Sequence, residues 1–447
     1  VTELRAPQRL FHGWKIVAGG MLMQSLQSGL FWQAFGAYAA LWMADFGWTR
    51  TTISWAASLQ RTESGLLGPI HGWLLERSSP RRVFVAGVVL MAAGLIGLAF
   101  VQDFTTFMVF YLIASIGSSL CGLLTLMTVV VNWFERRRAR ALATLQLGIS
   151  VGSLALPAVA WALVTFGWRP VSIASGLLIL AVGLPLSRLM HGTPEALGLR
   201  PDGDLAVAPS APVNPTARRH ARRRLAHDAL RTREFWLIST GHGLALAIMS
   251  AVGVHFVIFA IEVLGLGVTT AATLMAAMTA ASVVGQVVGG VAGDRIDKRW
   301  LAGGGMLGHA GAMALLMVAG SVASVAAAAL VHGFSWGLRG PLMGAMRADY
   351  FGREAFASVM GYSSLVVMFG SVFGPLLVGF LTDATGSYAP AFGVLTAVGA
   401  LGAGAFFVLG APPPAVPARA AAPTASESAT PAPSSPGPGD RTQGDRP

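Results

Sequence analysis

Gly72-Trp73-Leu74-Leu75-Glu76-Arg77 decides the fold, because Gly290-Val291-Ala292-Gly293-Asp294-Arg295 repeats its plan of glycine, apolar filler, acid and arginine. Two further anchors repeat with it. Trp133-Phe134-Glu135-Arg136 returns as Tyr350-Phe351-Gly352-Arg353, and Pro157 returns as Pro375. The step from 72 to 290 equals the step from 157 to 375, and that from 133 to 350 is one residue shorter. Separate anchors in one register mark a membrane chain assembled from two similar halves.

The surrounding composition supplies the solvent. Of 447 residues 54% are hydrophobic and 11% charged, with 55 glycines and a mean hydropathy of +0.63. Such a chain meets lipid outside and packs helix on helix through small residues inside. Apolar runs long enough for a ~30 Å hydrocarbon core predict twelve spans near 15–42, 51–75, 82–101, 104–133, 141–165, 170–190, 235–262, 270–292, 301–320, 322–346, 355–381 and 389–410. The fold class is thus all-α membrane protein, twelve transmembrane helices in two pseudo-symmetric six-helix bundles. The first apolar run exceeds a signal-peptide core and has no small-residue cleavage pattern, so it is read as the first span. Cys121 lies in an apolar run and predicts a buried thiol, with no partner for a disulfide.

Lys and Arg set the orientation. Arg77, Arg81 and Arg82 follow span 2, Arg136, Arg137, Arg138 and Arg140 follow span 4, and a basic run extends from Arg188 to Arg233. The opposite connections carry only Arg50 and Arg169. Both termini are therefore expected in the cytoplasm. The net charge of +11 follows from this topology and from anionic lipid headgroups as partners, so no nucleic acid is implied. Lysine is nearly absent against arginine, a usage that suggests a GC-rich bacterial genome and the inner (plasma) membrane. The expected division is an N-terminal bundle 1–190, a cytoplasmic linker 191–232 rich in Pro, Ala and Arg, a C-terminal bundle 233–410, and a disordered tail 411–447.

At these residues the chain resembles the major facilitator superfamily, over about residues 12–410. Gly72, Leu74, Glu76, Arg77, Arg81 and Arg82 are similar to the signature loop after helix 2, with glutamate in place of the commoner aspartate. Gly290, Asp294, Arg295, Lys298 and Arg299 form the second copy. Asn132-Trp133-Phe134-Glu135-Arg136, running into Gly148 and Gly152, resembles the monocarboxylate and oxalate/formate transporter group. So does Gly370-Ser371-Val372-Phe373-Gly374-Pro375 with Asp383, Gly386 and Tyr388. Phe11-His12-Gly13-Trp14-Lys15 stands where that group has an acid-rich start. The resemblance implies two bundles that open alternately to either face, with Gly72, Glu76, Arg77, Arg81, Arg82, Asp294, Arg295 and Arg299 as gating residues.

Charges inside the spans are the candidate site, since each costs about 2.5–3.5 kcal/mol on insertion scales and turns toward a cavity or partner. Arg61 and Arg339 fall on either side of the midplane by helical rise. Pro341 frees the carbonyl of Gly337 beside Arg339, and a guanidinium suits a carboxylate through two parallel hydrogen bonds. Arg339 and Arg61, with Gln24, Gln27, Trp32 and Tyr38 of span 1, are the predicted substrate-binding set. A structural ion pair for Arg339 and helix packing for the aromatics are the plainer alternatives.

Glu63 has two readings, a coupling carboxyl that carries a proton and a structural ion pair, with Gln60 one turn away as a hydrogen-bond partner. His242 is the second coupling candidate. His309 and His332 share its apolar setting, where packing is the commoner role.

No phosphate-cradling glycine loop, nucleophile–base pair or metal-ligand spacing occurs in the sequence. The expectation is therefore no enzyme, no cofactor and no metal. A monomeric secondary transporter of a small, carboxylate-type organic anion is expected, driven by a gradient such as that of protons. The alternatives are an exporter of amphipathic drugs or metabolites, and a non-transporting membrane sensor or scaffold.

Overall fold

The computed structural model describes residues 11–48, 50–203, 224–266 and 268–412, and for several residues of the second helix, Arg61 among them, the backbone alone. The expected tail from 413 on and most of the linker lie outside the described residues.

Nine described helices are long and apolar enough to cross a membrane. Three interruptions hide the remaining spans. The first span, α1, runs His12–Gln27, passes through a π-helical turn Ser28–Trp32, and resumes as Phe35–Phe46. α2 is Arg50–Arg77, whose polar residues lower its hydropathy. The 64-residue helix Val322–Thr385 holds two spans joined at Gly352, whose φ of 74° and ψ of 161° are non-helical. Glycine adopts that conformation at little steric cost, so the chain reverses there in a single residue. Dividing this helix at Gly352 gives α10 (322–351) and α11 (353–385), and the twelve helices of the sequence reading are present.

The others are α3 Pro80–Leu98, α4 Phe104–Trp133 with a break at Gly122, α5 Arg138–Phe166, α6 Trp168–Leu186, α7 Arg233–Glu262, α8 Val268–Gly293, α9 Lys298–Met317 and α12 Ala389–Phe407. Local chemistry sets their ends. Ser79 caps α3 with Pro80 at its first position, and Asp103 with Thr106 forms a capping box at α4.

Small residues bring the helices into contact. A Cβ on Gly94 of α3 would sit 2.3 Å from the backbone nitrogen of Ala114 in α4, so only hydrogen fits there. The two halves meet in the same way. Gly72 of α2 lies against Ala357 of α11, where a Cβ would come within 2.6 Å of the carbonyl oxygen. Its repeat partner Gly290 of α8 lies against Ala143 of α5. Each copy of the motif thus docks on the opposite half.

Residues 191–203 differ from the featureless linker expected. They form short turns in which Asp202 accepts backbone N–H bonds from Glu135 and Arg136 at 3.1 and 2.8 Å. Glu195 accepts a 2.6 Å bond from Arg353 of α11. Composition missed this packing because two carboxylates, and no apolar periodicity, hold the segment.

Candidate functional site

Between the halves lies a cavity of about 540 Å³. α1 contributes Gln24, Gln27 and Trp32, α2 contributes His71, α4 contributes Ser119, and α11 contributes Ser364 from the other half. Leu123, Leu124, Met127, Ile149 and Met360 supply its apolar wall. The volume is that of a pocket for a small organic molecule, and the mixture of amides, hydroxyls and apolar surface is typical of one.

The polar side chains are fixed by neighbours. Gln27 donates to the Ser118 carbonyl at 3.2 Å and to Cys121 Sγ at 3.0 Å, and Trp32 Nε1 donates to Ser118 Oγ at 3.2 Å. Gln24 is buried, and its Oε1 has no protein partner. Ser119 links the wall to Glu63, which accepts from Ser115 Oγ at 2.6 Å and lies 3.5 Å from Ser119 Oγ. Gln60 turns instead to Tyr111, at 2.8 Å.

Other predicted residues lie apart from the cavity lining. Tyr38 is buried and stacks on Trp42 with ring centroids 5.3 Å apart. The Arg61 side chain lies outside the described residues. Arg339 is 0% exposed, none of its guanidinium nitrogens has a hydrogen-bond partner among the described residues, and its charged end sits 5.2 Å from the Trp336 ring centroid. It packs toward Gly305 of α9, inside the C-terminal half. His242 Nδ1 lies 3.2 Å from Arg347 Nη2. A guanidinium only donates, so this nitrogen accepts and the imidazole proton is on Nε2. His309 and His332 face each other, Nδ1 to Nδ1, at 3.2 Å.

The basic face beneath the cavity is shut by reciprocal contacts. Ser358 of α11 donates to Glu76 of α2. Asp294, after α8, accepts from the backbone of Ala139 and Arg140 at 2.9 and 3.4 Å, where the start of α5 presents free N–H groups and a favourable dipole. Arg138 and Lys298 grip Asp349 from either half at 2.5 and 2.8 Å. Burial raises the Asp294 carboxyl above the usual aspartate range, although those N–H groups and Arg140 oppose the shift. Burial also acts to raise Glu195, but its backbone hydrogen bond and Arg353 outweigh it and leave the group lowered.

Arg77 stacks over Trp73, 4.4 Å from the ring centroid. Arg81, Arg82 and Arg295 are exposed on the basic face. Arg299 binds Asp297 at 2.6 Å and the Leu409 carbonyl at 2.6 Å, which ties α9 to the end of α12.

The Major Facilitator Superfamily family model matches residues 21–280 and, a second time, residues 238–438. The chain belongs to that superfamily. It is 28% identical to monocarboxylate transporter 11 of Homo sapiens over 420 residues, 90% of this chain and 83% of that protein. Monocarboxylate transporter 13 of Rattus norvegicus is 26% identical over 412 residues, 89% of each chain. The membrane sensor protein UhpC of Salmonella typhimurium is 25% identical over 367 residues, 76% of this chain and 78% of that one. The solved structure of the transporter FucP in the outward conformation shares the fold, with a TM-score of 0.68 at 14% identity, covering 89% of this chain and 99% of that one.

This major facilitator chain therefore resembles the monocarboxylate group, and secondary transport is the activity its family and relatives support. The sequence reading passed over His71, which lines the cavity. A signal was there: Gly68, His71 and Gly72 share the α2 face that meets α11, and a polar residue on an interfacial glycine face points into the seam between the halves.

Proposed function

We propose that the chain works by alternating access and carries a small organic anion of the carboxylate type, across the bacterial inner membrane if the arginine-rich usage reports its source. One observation carries the reading: a solute-sized cavity is walled by both halves and sealed at one end by contacts that each half makes on the other. With the basic face as the cytoplasmic one, closure at that end corresponds to the outward-facing state of such a cycle. Glu76 and Asp294 act as the paired latches whose release lets the halves rock.

Two relatives named for monocarboxylates support the anion. So does Arg339, a guanidinium held in the C-terminal half without a hydrogen-bond partner among the described residues. An uncompensated buried charge is costly, and an anionic solute that reached Arg339 in another state of the cycle would lower that cost. Gln24, Gln27 and Trp32 bind the solute from α1.

The test is uptake of labelled carboxylates into proteoliposomes by wild type and by Arg339→Gln. A fall of about tenfold, the scale of one hydrogen bond to a charged group, is expected. Equal uptake overturns the role given to Arg339.

The relative named as a membrane sensor favours a second reading, a receptor that binds its ligand and signals. Saturable binding without flux in the same vesicles would select it.

A further inference from the structure

Another cavity, of about 420 Å³, lies between α5 and α6 of the N-terminal half, with Leu30 of α1 also in its lining. The two helices diverge to form it. α5 breaks at Leu154–Ala155, resumes at Leu156 with Pro157 in its first turn, and reaches α6 through Gly167 alone, whose φ is 81° and ψ 161°. α6 is drawn the other way, onto α3, where Gly176 packs against Ala92 and Ile96 and Gly183 against Val88. Ala158 and Ala162 of α5 and Ala174 of α6 line the resulting groove, and side chains that short leave it open.

Place, length and charge decide what fits it. Both helices are long and apolar enough to span a membrane, so an occupant comes from the bilayer. The α6 side of the lining runs from Pro170 to Leu178, about 12 Å of helix against the ~15 Å hydrocarbon depth of one leaflet. Arg169 stands at the outer end, beside Pro170. Its side chain is half exposed and lies over Trp168, 4.2 Å from the ring centroid, an aromatic suited to headgroup level. Asp45 meets one Arg169 nitrogen at 3.7 Å while accepting from Trp168 Nε1 at 2.7 Å. A guanidinium has five donors, and one contact of that length leaves it able to take a phosphate.

We propose that this groove holds an anionic phospholipid of the leaflet away from the basic face, with one acyl chain between α5 and α6 and the phosphate at Arg169. The lipid bears on the cavity between the halves. Leu30 belongs to the π-helical turn Ser28–Trp32, and Ser28 and Trp32 of that turn line the cavity. An acyl chain against Leu30 therefore braces the cavity wall from behind, whichever solute the cavity takes.

Native mass spectrometry of the full chain in detergent tests this, with phosphatidylglycerol and phosphatidylcholine of identical acyl chains as probes. Wild type should keep one phosphatidylglycerol per chain and hold it about fivefold more tightly than phosphatidylcholine, the scale of one basic residue near an anionic surface. Arg169→Gln should bring the two lipids to equal retention. Ala158→Phe fills the groove and should release both. Val164→Phe, on α5 but outside the lining and 81% exposed, should retain lipid as wild type does, which separates a filled groove from a folding defect. Hydrogen exchange of residues 28–32 should slow when phosphatidylglycerol is added to wild type and stay unchanged in Ala158→Phe.

Equal retention of the two lipids by wild type, or undiminished retention by Ala158→Phe, overturns the site. A second copy of the chain that is bound in place of lipid and released by Ala158→Phe overturns it as well. Exchange of residues 28–32 that ignores a retained lipid overturns the brace.

Discussion

At the scale of single residues, Arg339 separates function from stability. Its guanidinium is fully buried with no bonded partner among the described residues, and replacing a buried charge by an apolar side chain of similar volume is neutral or stabilising by about 1–4 kcal/mol. Arg339→Met should therefore raise the melting temperature in detergent while uptake falls. A variant that loses stability and uptake together would mean that Arg339 is structural. The sequence showed which residues are polar within apolar spans, and Gln24, Gln27 and Trp32 do line the cavity. Which face each presents was less legible. Tyr38 follows the π-helical turn Ser28–Trp32, whose wider turn advances the helix phase. A count at 3.6 residues per turn from Gln27 therefore misplaces everything after it.

At the scale of elements, the repeated motif reads correctly as two equivalent helix ends, and the structure shows each gripping the opposite half. The Asp294 carboxyl is raised above the usual 3.8 by burial. A raised value means that protonation favours this closed arrangement. That contribution is complete below the ordinary aspartate value and is lost as pH climbs through the raised one. Asp294→Asn, which keeps an acceptor for Ala139 N–H without the charge, should hold the basic face shut. Asp294→Ala strands that N–H and should release it, at a cost of about 1–3 kcal/mol.

A Ser364→Cys reporter in a Cys121→Ser background checks both, since Ser364 lines the cavity. Labelling by an impermeant maleimide from the non-basic face should rise in the first variant and fall in the second. The same labelling in both would remove Asp294 from the latch. The ion-pair grip of residues 191–203 was illegible because its partners, Arg353 and the Glu135–Arg136 backbone, are far away in sequence.

At the scale of the molecule, the twofold repeat and the arginine bias were legible because they are properties of the whole chain, whereas the cavity depends on which helix faces meet. Asp349 is where the halves share charge: Arg138 approaches it from α5 and Lys298 from α9. Removing either cation leaves the carboxylate one partner. Removing the carboxylate leaves two cations facing each other across the seam, so Asp349→Asn should shift the two-state balance further than Arg138→Ala or Lys298→Ala. Loss of one member of a largely buried pair costs about 3–5 kcal/mol, and a shift of that size takes a nearly closed basic face to a mostly open one. The Ser364→Cys reporter should then become reactive from the basic face, and the double exchange Arg138→Asp with Asp349→Arg should return much of the original labelling, because charges in contact are non-additive. Labelling unchanged in Asp349→Asn would place the closure of the basic face in the helix contacts at Gly72 and Gly290, where the backbones of the two halves already touch.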